Sequence, residues 1–152
     1  MKTINKDQMS GIVGDHLGYS DWFEIDQARI DLFADATLDD QFIHVDVEKA
    51  AQTPFGGTIA HGYLLLSMFP YLTEPLWVVP EGMAMSINYG LNKVRFVSPV
   101  RAGSRVRAGA SVADVSEKSP GRFMVTMDLV LELEGSESPA VIAQQLAMFV
   151  VE

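Results

Sequence analysis

An aspartate and a histidine, Asp39 and His44, stand where a bent chain could bring both onto one water molecule. Asp39 precedes His44 by five positions, inside the stretch Leu38-Asp39-Asp40-Gln41-Phe42-Ile43-His44. That spacing does not stack them on one helix face, where neighbours lie three or four residues apart. A loop can still converge them. A carboxylate and an imidazole holding the same water form an acid–base pair able to add or remove it. The same residues equally suit a loop histidine hydrogen-bonded to a nearby acid, and spacing alone leaves both readings open. Asp40 is a second acid beside the first, and adjacent carboxylates raise the cost of ionising both. It is read as a solvent-facing neighbour.

Gly62 follows His61 at the start of the most apolar helical run of the chain. Amides in a helix's first turn have no intrahelical acceptor and lie at the positive end of the helix dipole. They can donate to an oxygen that gains negative charge. Close packing alone is an equal reason for Gly62. His61 is expected to bond the neighbouring loop.

Other chemistries find little support. The chain has no cysteine, which removes thiol nucleophiles, disulfides and thiolate metal sites together. No serine sits in a nucleophile elbow and no histidine–glutamate metal motif occurs. His44-Val45-Asp46 offers two metal-ligand types without an evident third, so no metal is expected. Gly56-Gly57 is too short for a dinucleotide fingerprint.

These residues need elements to hold them. Asp26 suits the N-cap of a helix ending near Thr37, with Ile30, Phe33 and Ala34 at helical spacing. The stretch from Leu38 to His44 reads as loop. Asp46 can cap a short helix from Val47 to Ala51. Pro54-Phe55-Gly56-Gly57 marks a turn, after which Thr58 should cap a helix from Ile59 to about Tyr71. Its body is apolar nearly all round, as in a helix buried on most sides. The second half reads as strands. Apolar residues alternate from Val106 to Val112 and from Phe123 to Leu133, with the turn Ser119-Pro120-Gly121 between them, so these runs should form an antiparallel hairpin. Ser86–Phe96 reads as a strand bent at Gly90, and Ala140–Val151 as a strand covered on both faces. The segment around Trp77, between Pro75 and Pro80, matches no element. Phe42, Phe55 and Trp77 are candidates for shaping a pocket.

The sum is an α+β arrangement, a curled antiparallel sheet wrapped around a central buried helix, over residues 1–152 as one domain. A sheet wrapped on one helix leaves a face or edge that a homodimer would cover. Hydrophobic residues make up 48% of the chain, too many for a disordered one. The longest apolar runs fall short of a membrane span and the amino terminus lacks a signal-peptide core, so a soluble, cytoplasmic protein is expected. A net charge of −9 argues against nucleic acid as a partner. Lys93, Arg95, Arg101, Arg105 and Arg107 go against that average. They are either solvated strand faces or a cationic rim for the phosphates of an anionic cofactor arm.

Three motifs carry a resemblance. Ala36-Thr37-Leu38-Asp39-Asp40-Gln41-Phe42-Ile43-His44-Val45-Asp46 resembles the hydratase signature of MaoC-like proteins, with an acid five positions before a histidine. Pro54-Phe55-Gly56-Gly57-Thr58-Ile59-Ala60-His61-Gly62 looks like that family's approach to its central helix. Ile87-Asn88-Tyr89-Gly90-Leu91-Asn92-Lys93-Val94-Arg95-Phe96, followed by Pro99 and Gly103, resembles its strand segment. The order is the family's, from about Gly14 onward, and the NodN-like branch is the most similar. The resemblance implies a hotdog fold and an (R)-specific enoyl-CoA hydratase, or the reverse 3-hydroxyacyl-thioester dehydratase. It puts Asp39 and His44 at the catalytic positions and Gly62 at the backbone oxyanion donor. It implies an acyl-CoA substrate, no metal or redox cofactor, and a homodimer. An acyl-CoA thioesterase on the same fold and a non-catalytic acyl-CoA-binding dimer are the alternatives, because a fold does not choose a reaction. Leu38 departs from the branch, which commonly has glycine there.

Overall fold

The computed structural model describes residues 1–152. The chain opens with β1 (Lys2–Ile4), a 3-10 turn over Lys6–Ile12, β2 (His16–Tyr19) and β3 (Phe23–Ile25). These strands have no local signal in the sequence. At three or four residues they are too short to show alternation, and partners far along the chain define them. β1 pairs in parallel with β4 (Val78–Pro80), while β2 and β3 pair with a later strand.

α1 (Gln27–Thr37) forms as expected, with the Asp26 side chain accepting from the Arg29 amide. Its stop is unusual. Leu38 adopts φ 60° and ψ 24°, the left-handed region, and is the chain's one non-glycine residue with positive φ. The following stretch is not all loop, because Phe42–Val45 forms a short helix, α2. Asp46 then caps α3 (Val47–Ala50) by accepting from the Lys49 amide.

The central helix departs from expectation in start and length. It begins at Gly62, with His61 rather than Thr58 at the N-cap, and comes in two pieces, α4 (Gly62–Ser67) and α5 (Phe69–Thr73). Thr58–His61 is extended instead. It is clamped by the Ile59 amide to the Ile43 carbonyl on one side, and by the Ala60 amide to the Val100 carbonyl on the other. Pro70 lacks the amide that would reach back to Leu66, which is why the helix loosens at Met68. One side of it is buried through Leu64, Leu65, Phe69 and Leu72, while Tyr63 and Tyr71 are exposed. The segment after it is a 3-10 turn (Glu74–Leu76) leading into β4. Trp77 is buried in the core beside Phe149 and its indole N–H donates to Thr73 Oγ1, so it does not cover a pocket.

The sheet closes around this helix. β5 (Met83–Phe96), β6 (Ser104–Ser119), β7 (Arg122–Leu133) and β8 (Val141–Val151) follow, and the strand order is β2-β6-β7-β8-β5, with β3 also on β6. The β6–β7 hairpin turns at Pro120-Gly121, with Ser119 opposite Arg122. β6 runs on past Val112 through a register shift, into a polar stretch where alternation gives no signal. In β5 a shift falls between Asn88 and Gly90, at the expected bend. Such shifts bend a strand and increase its twist, which lets the sheet curl. One face of β8 is buried on the helix. Its other face (Ile142, Gln144, Leu146, Met148) is half-buried in the single chain rather than covered. No helix is long and apolar enough to cross a membrane.

Candidate active site

Leu38, α2 and the extended Thr58–His61 segment together make the site. The left-handed turn at Leu38 ends α1 and throws Asp39 and Asp40 to the surface, both exposed. α2 then carries His44 inward until it is buried at 7% exposure. There His44 Nδ1 lies 2.7 Å from the Ile59 carbonyl. A carbonyl can only accept, so Nδ1 bears the hydrogen and Nε2 keeps its lone pair. The expected convergence occurs: a carboxylate oxygen of Asp39 and a ring nitrogen each of His44 and His61 lie within 4.8 Å of one another.

His61 is a third member of the site, brought close by the fold rather than by any spacing in the sequence. Its ring stacks on that of His44, with centroids 3.8 Å apart and planes 26° from parallel. Its Nε2 lies 2.9 Å from the main-chain carbonyl of Asp39. The expected loop bond is therefore present, and the loop it holds is the one that carries the acid. Gln27 was missed as well. Its side-chain amide donates to the His44 carbonyl and to Asp31, and its oxygen accepts from the buried Thr58 hydroxyl. Only its position one residue into a capped helix marks it in the sequence. His16 lies elsewhere, on β2, where its Nδ1 accepts from the Gly18 amide.

Burial lowers the pKa of His44 below its ordinary 6.5, since a desolvated ring disfavours the charged form. The bond to Ile59 and the charge of Asp39 act the other way, and His61 reinforces the lowering. The resulting imidazole is biased toward neutrality, with one nitrogen open to accept.

Two histidines and an acid have the composition of a metal site, but the geometry is poor. Metal–nitrogen bonds of roughly 2 Å lie in the ring plane. Planes stacked 3.8 Å apart at 26° do not meet so close to the rings.

Gly62 opens α4, and its N–H is among the first-turn amides without an intrahelical acceptor. The close-packing role holds too. A Cβ on Gly62 would lie 2.9 Å from the Phe96 ring. The five basic residues do not gather. Arg107 pairs with Glu132 on β7 and Arg105 with Glu134 just past its end, and Arg101 reaches back to the Gly56 carbonyl. Lys93 and Arg95 stand on β5, at the far edge of the sheet from β6. A cleft of about 320 Å³ opens between the helix and β5, with Leu66, Phe69, Asn88, Tyr89 and Gln145 in its walls. Asp39 and His44 do not line it.

Comparison with known proteins identifies the family. Residues 8–132 match the model of the MaoC like domain. The 3-hydroxyacyl-thioester dehydratase Z of Mycobacterium tuberculosis is 46% identical over 142 residues, covering 93% of each chain. Nodulation protein N of Rhizobium meliloti is 42% identical over 149 residues, 97% of this chain and 92% of that one. Among solved structures, the (R)-hydratase from A. caviae involved in PHA biosynthesis superposes with a TM-score of 0.71 at 28% identity, over 89% of this chain and 94% of that one. The chain thus belongs to the MaoC-like family and is a hotdog-fold hydro-lyase of the hydratase and dehydratase kind.

Proposed function

We propose that the protein is an (R)-specific enoyl-CoA hydratase, or in reverse a 3-hydroxyacyl-thioester dehydratase, working through Asp39 and His44. The observation that carries this reading is the approach of the Asp39 carboxylate to the buried His44 ring, whose Nε2 hydrogen bonding leaves free. A water held between the two offers its oxygen to the β-carbon of a trans-2-enoyl thioester. One proton of that water passes to the pair and is returned to the α-carbon, so the pair ends as it began. The thioester oxygen gains negative charge on the way. The Gly62 N–H is the donor for it, and such a donor typically supplies about 3 kcal/mol of barrier lowering. In this reading acyl-CoA is the substrate, and neither metal nor redox cofactor takes part.

The reading includes a homodimer joined along β5. That strand pairs only with β8, leaving its other edge open, and Met85, Ile87, Tyr89 and Leu91 are exposed along it. A long apolar edge of this kind is a template for strand pairing, and a second copy supplies a matching one.

Loss of the ultraviolet absorbance of crotonyl-CoA tests the activity directly. Wild type should consume the enoyl thioester without releasing free thiol. Asp39→Asn should be slower by about 10²- to 10⁴-fold, the span of general acid–base catalysis. Thiol release would point to a thioesterase instead. Equal rates in the two proteins would remove Asp39 from the role.

A further inference from the structure

His61 takes no part in the reaction just described, yet it touches every member of the site. It is 2% exposed. Its Nε2 must carry the hydrogen, because the Asp39 carbonyl 2.9 Å away can only accept. Its Nδ1 is then a bare lone pair, buried with no hydrogen-bond partner. One ring face lies on His44, and the Phe33 ring approaches at 5.0 Å and 51°. Its main chain forms the N-cap directly before Gly62.

A residue that merely filled this space would need no ring nitrogen. A phenyl ring would pack between Phe33 and His44 and would leave no polar atom stranded, whereas an unpartnered buried polar atom is destabilising. The nitrogen that is used goes to the backbone of the acid. The face that is used goes to the histidine.

We infer that His61 is the positioning residue of the Asp39–His44 pair: its Nε2–H fixes the acid's loop, and its ring face fixes the imidazole plane. The inference rests on the reading of that pair as the reacting groups. Displacement of reacting groups by as little as 1 Å can lower a rate on the order of 10²-fold. The neutral His61 ring also covers one face of His44 and adds to the burial that disfavours its charged form, while the charged group beside that ring is Asp39.

Three variants separate the two contacts. His61→Phe keeps a stacked ring and loses the donor. His61→Gln keeps a side-chain N–H for the Asp39 carbonyl and loses the ring. His61→Ala loses both. With crotonyl-CoA, kcat should fall about 10-fold in the Phe and Gln variants and about 100-fold in Ala, with KM within roughly 2-fold of wild type. The NMR titration midpoint of His44 should move in all three, as its ring plane and its shielding from water change. A His61→Phe protein with wild-type kcat and an unmoved His44 midpoint would reduce His61 to packing and overturn the inference. Nitrogen NMR of the unaltered protein gives a check that needs no variant to fold. His61 should be the tautomer protonated at Nε2, and protonation at Nδ1 instead would overturn the inference. If wild type proves inactive on enoyl thioesters, the proposed reaction fails. The NMR measurements still decide whether His61 holds the pair.

Discussion

At the scale of single residues, burial and backbone conformation make the tests. His44 is favoured in its neutral form when folded, so between its lowered pKa and the ordinary 6.5 the unfolded chain binds more protons than the folded one. His44 therefore costs the fold no stability above pH 6.5 and an increasing amount as pH falls through that window. Urea unfolding from pH 7.5 to 5 should show the decline in wild type and a shallower one in His44→Gln. The rate of crotonyl-CoA hydration should fall on the same side, with an acid midpoint below 6.5. Leu38 is a different case. It is 87% exposed and holds a left-handed conformation that an L side chain adopts at a cost of about 1 kcal/mol. Leu38→Gly should raise the thermal midpoint by roughly 2–4 °C, because little burial is lost with the side chain. Glycine would adopt the same turn without that cost, and Leu38 forms it all the same. A lower midpoint in the variant would show that Leu38 packs against something in the functional assembly.

At the scale of elements, the site depends on three short pieces held together from α1. Gln27 ties α1 to the His44 carbonyl and to Thr58, whose hydroxyl is 4% exposed as a residue and has no other partner. Gln27→Ala leaves that hydroxyl and carbonyl short of partners, at about 1–3 kcal/mol. Thermal or urea unfolding should show the loss, and hydration should slow as α2 and the Thr58–His61 segment lose their common anchor. An unchanged unfolding midpoint would mean that water replaces Gln27 freely. The same elements show where periodicity stops being informative. α1 has a cap and a helical apolar spacing, and both were legible. α2 is four residues long, within a run of acids, and exists because the Ile43 and His44 groups bond Ile59 fifteen or more residues later in the chain. No local signal announces it.

Across the whole molecule, the surface left uncovered is the open side of β5. The tyrosines of the helix, Tyr63 and Tyr71, are exposed as well. Light scattering after size exclusion should give twice the chain mass of 16.7 kDa. Ile87→Glu together with Tyr89→Glu should shift the protein to a monomer, since charges on an edge strand block pairing. A dimer that survives both changes would put the interface elsewhere. The basic residues show the same dependence on overall shape. They lie within fifteen positions in sequence, yet the sheet order sends Lys93 and Arg95 to one edge and Arg105 and Arg107 toward the other.

The long strands, the apolar helix they wrap and two of the site's members were legible in the residues alone. Alternation, a turn at Pro120-Gly121 and an apolar helical run are local patterns, and each follows from the period of its own element. The five-residue spacing and its family resemblance brought Asp39 and His44 forward. The fold alone stacks His61 on His44 and bonds it to the backbone of Asp39, sets Gln27 as an anchor to both sides, and disperses the cations. The physical reason is distance along the chain: contacts across 15 to 31 residues depend on how elements pack, and no periodicity within an element encodes them.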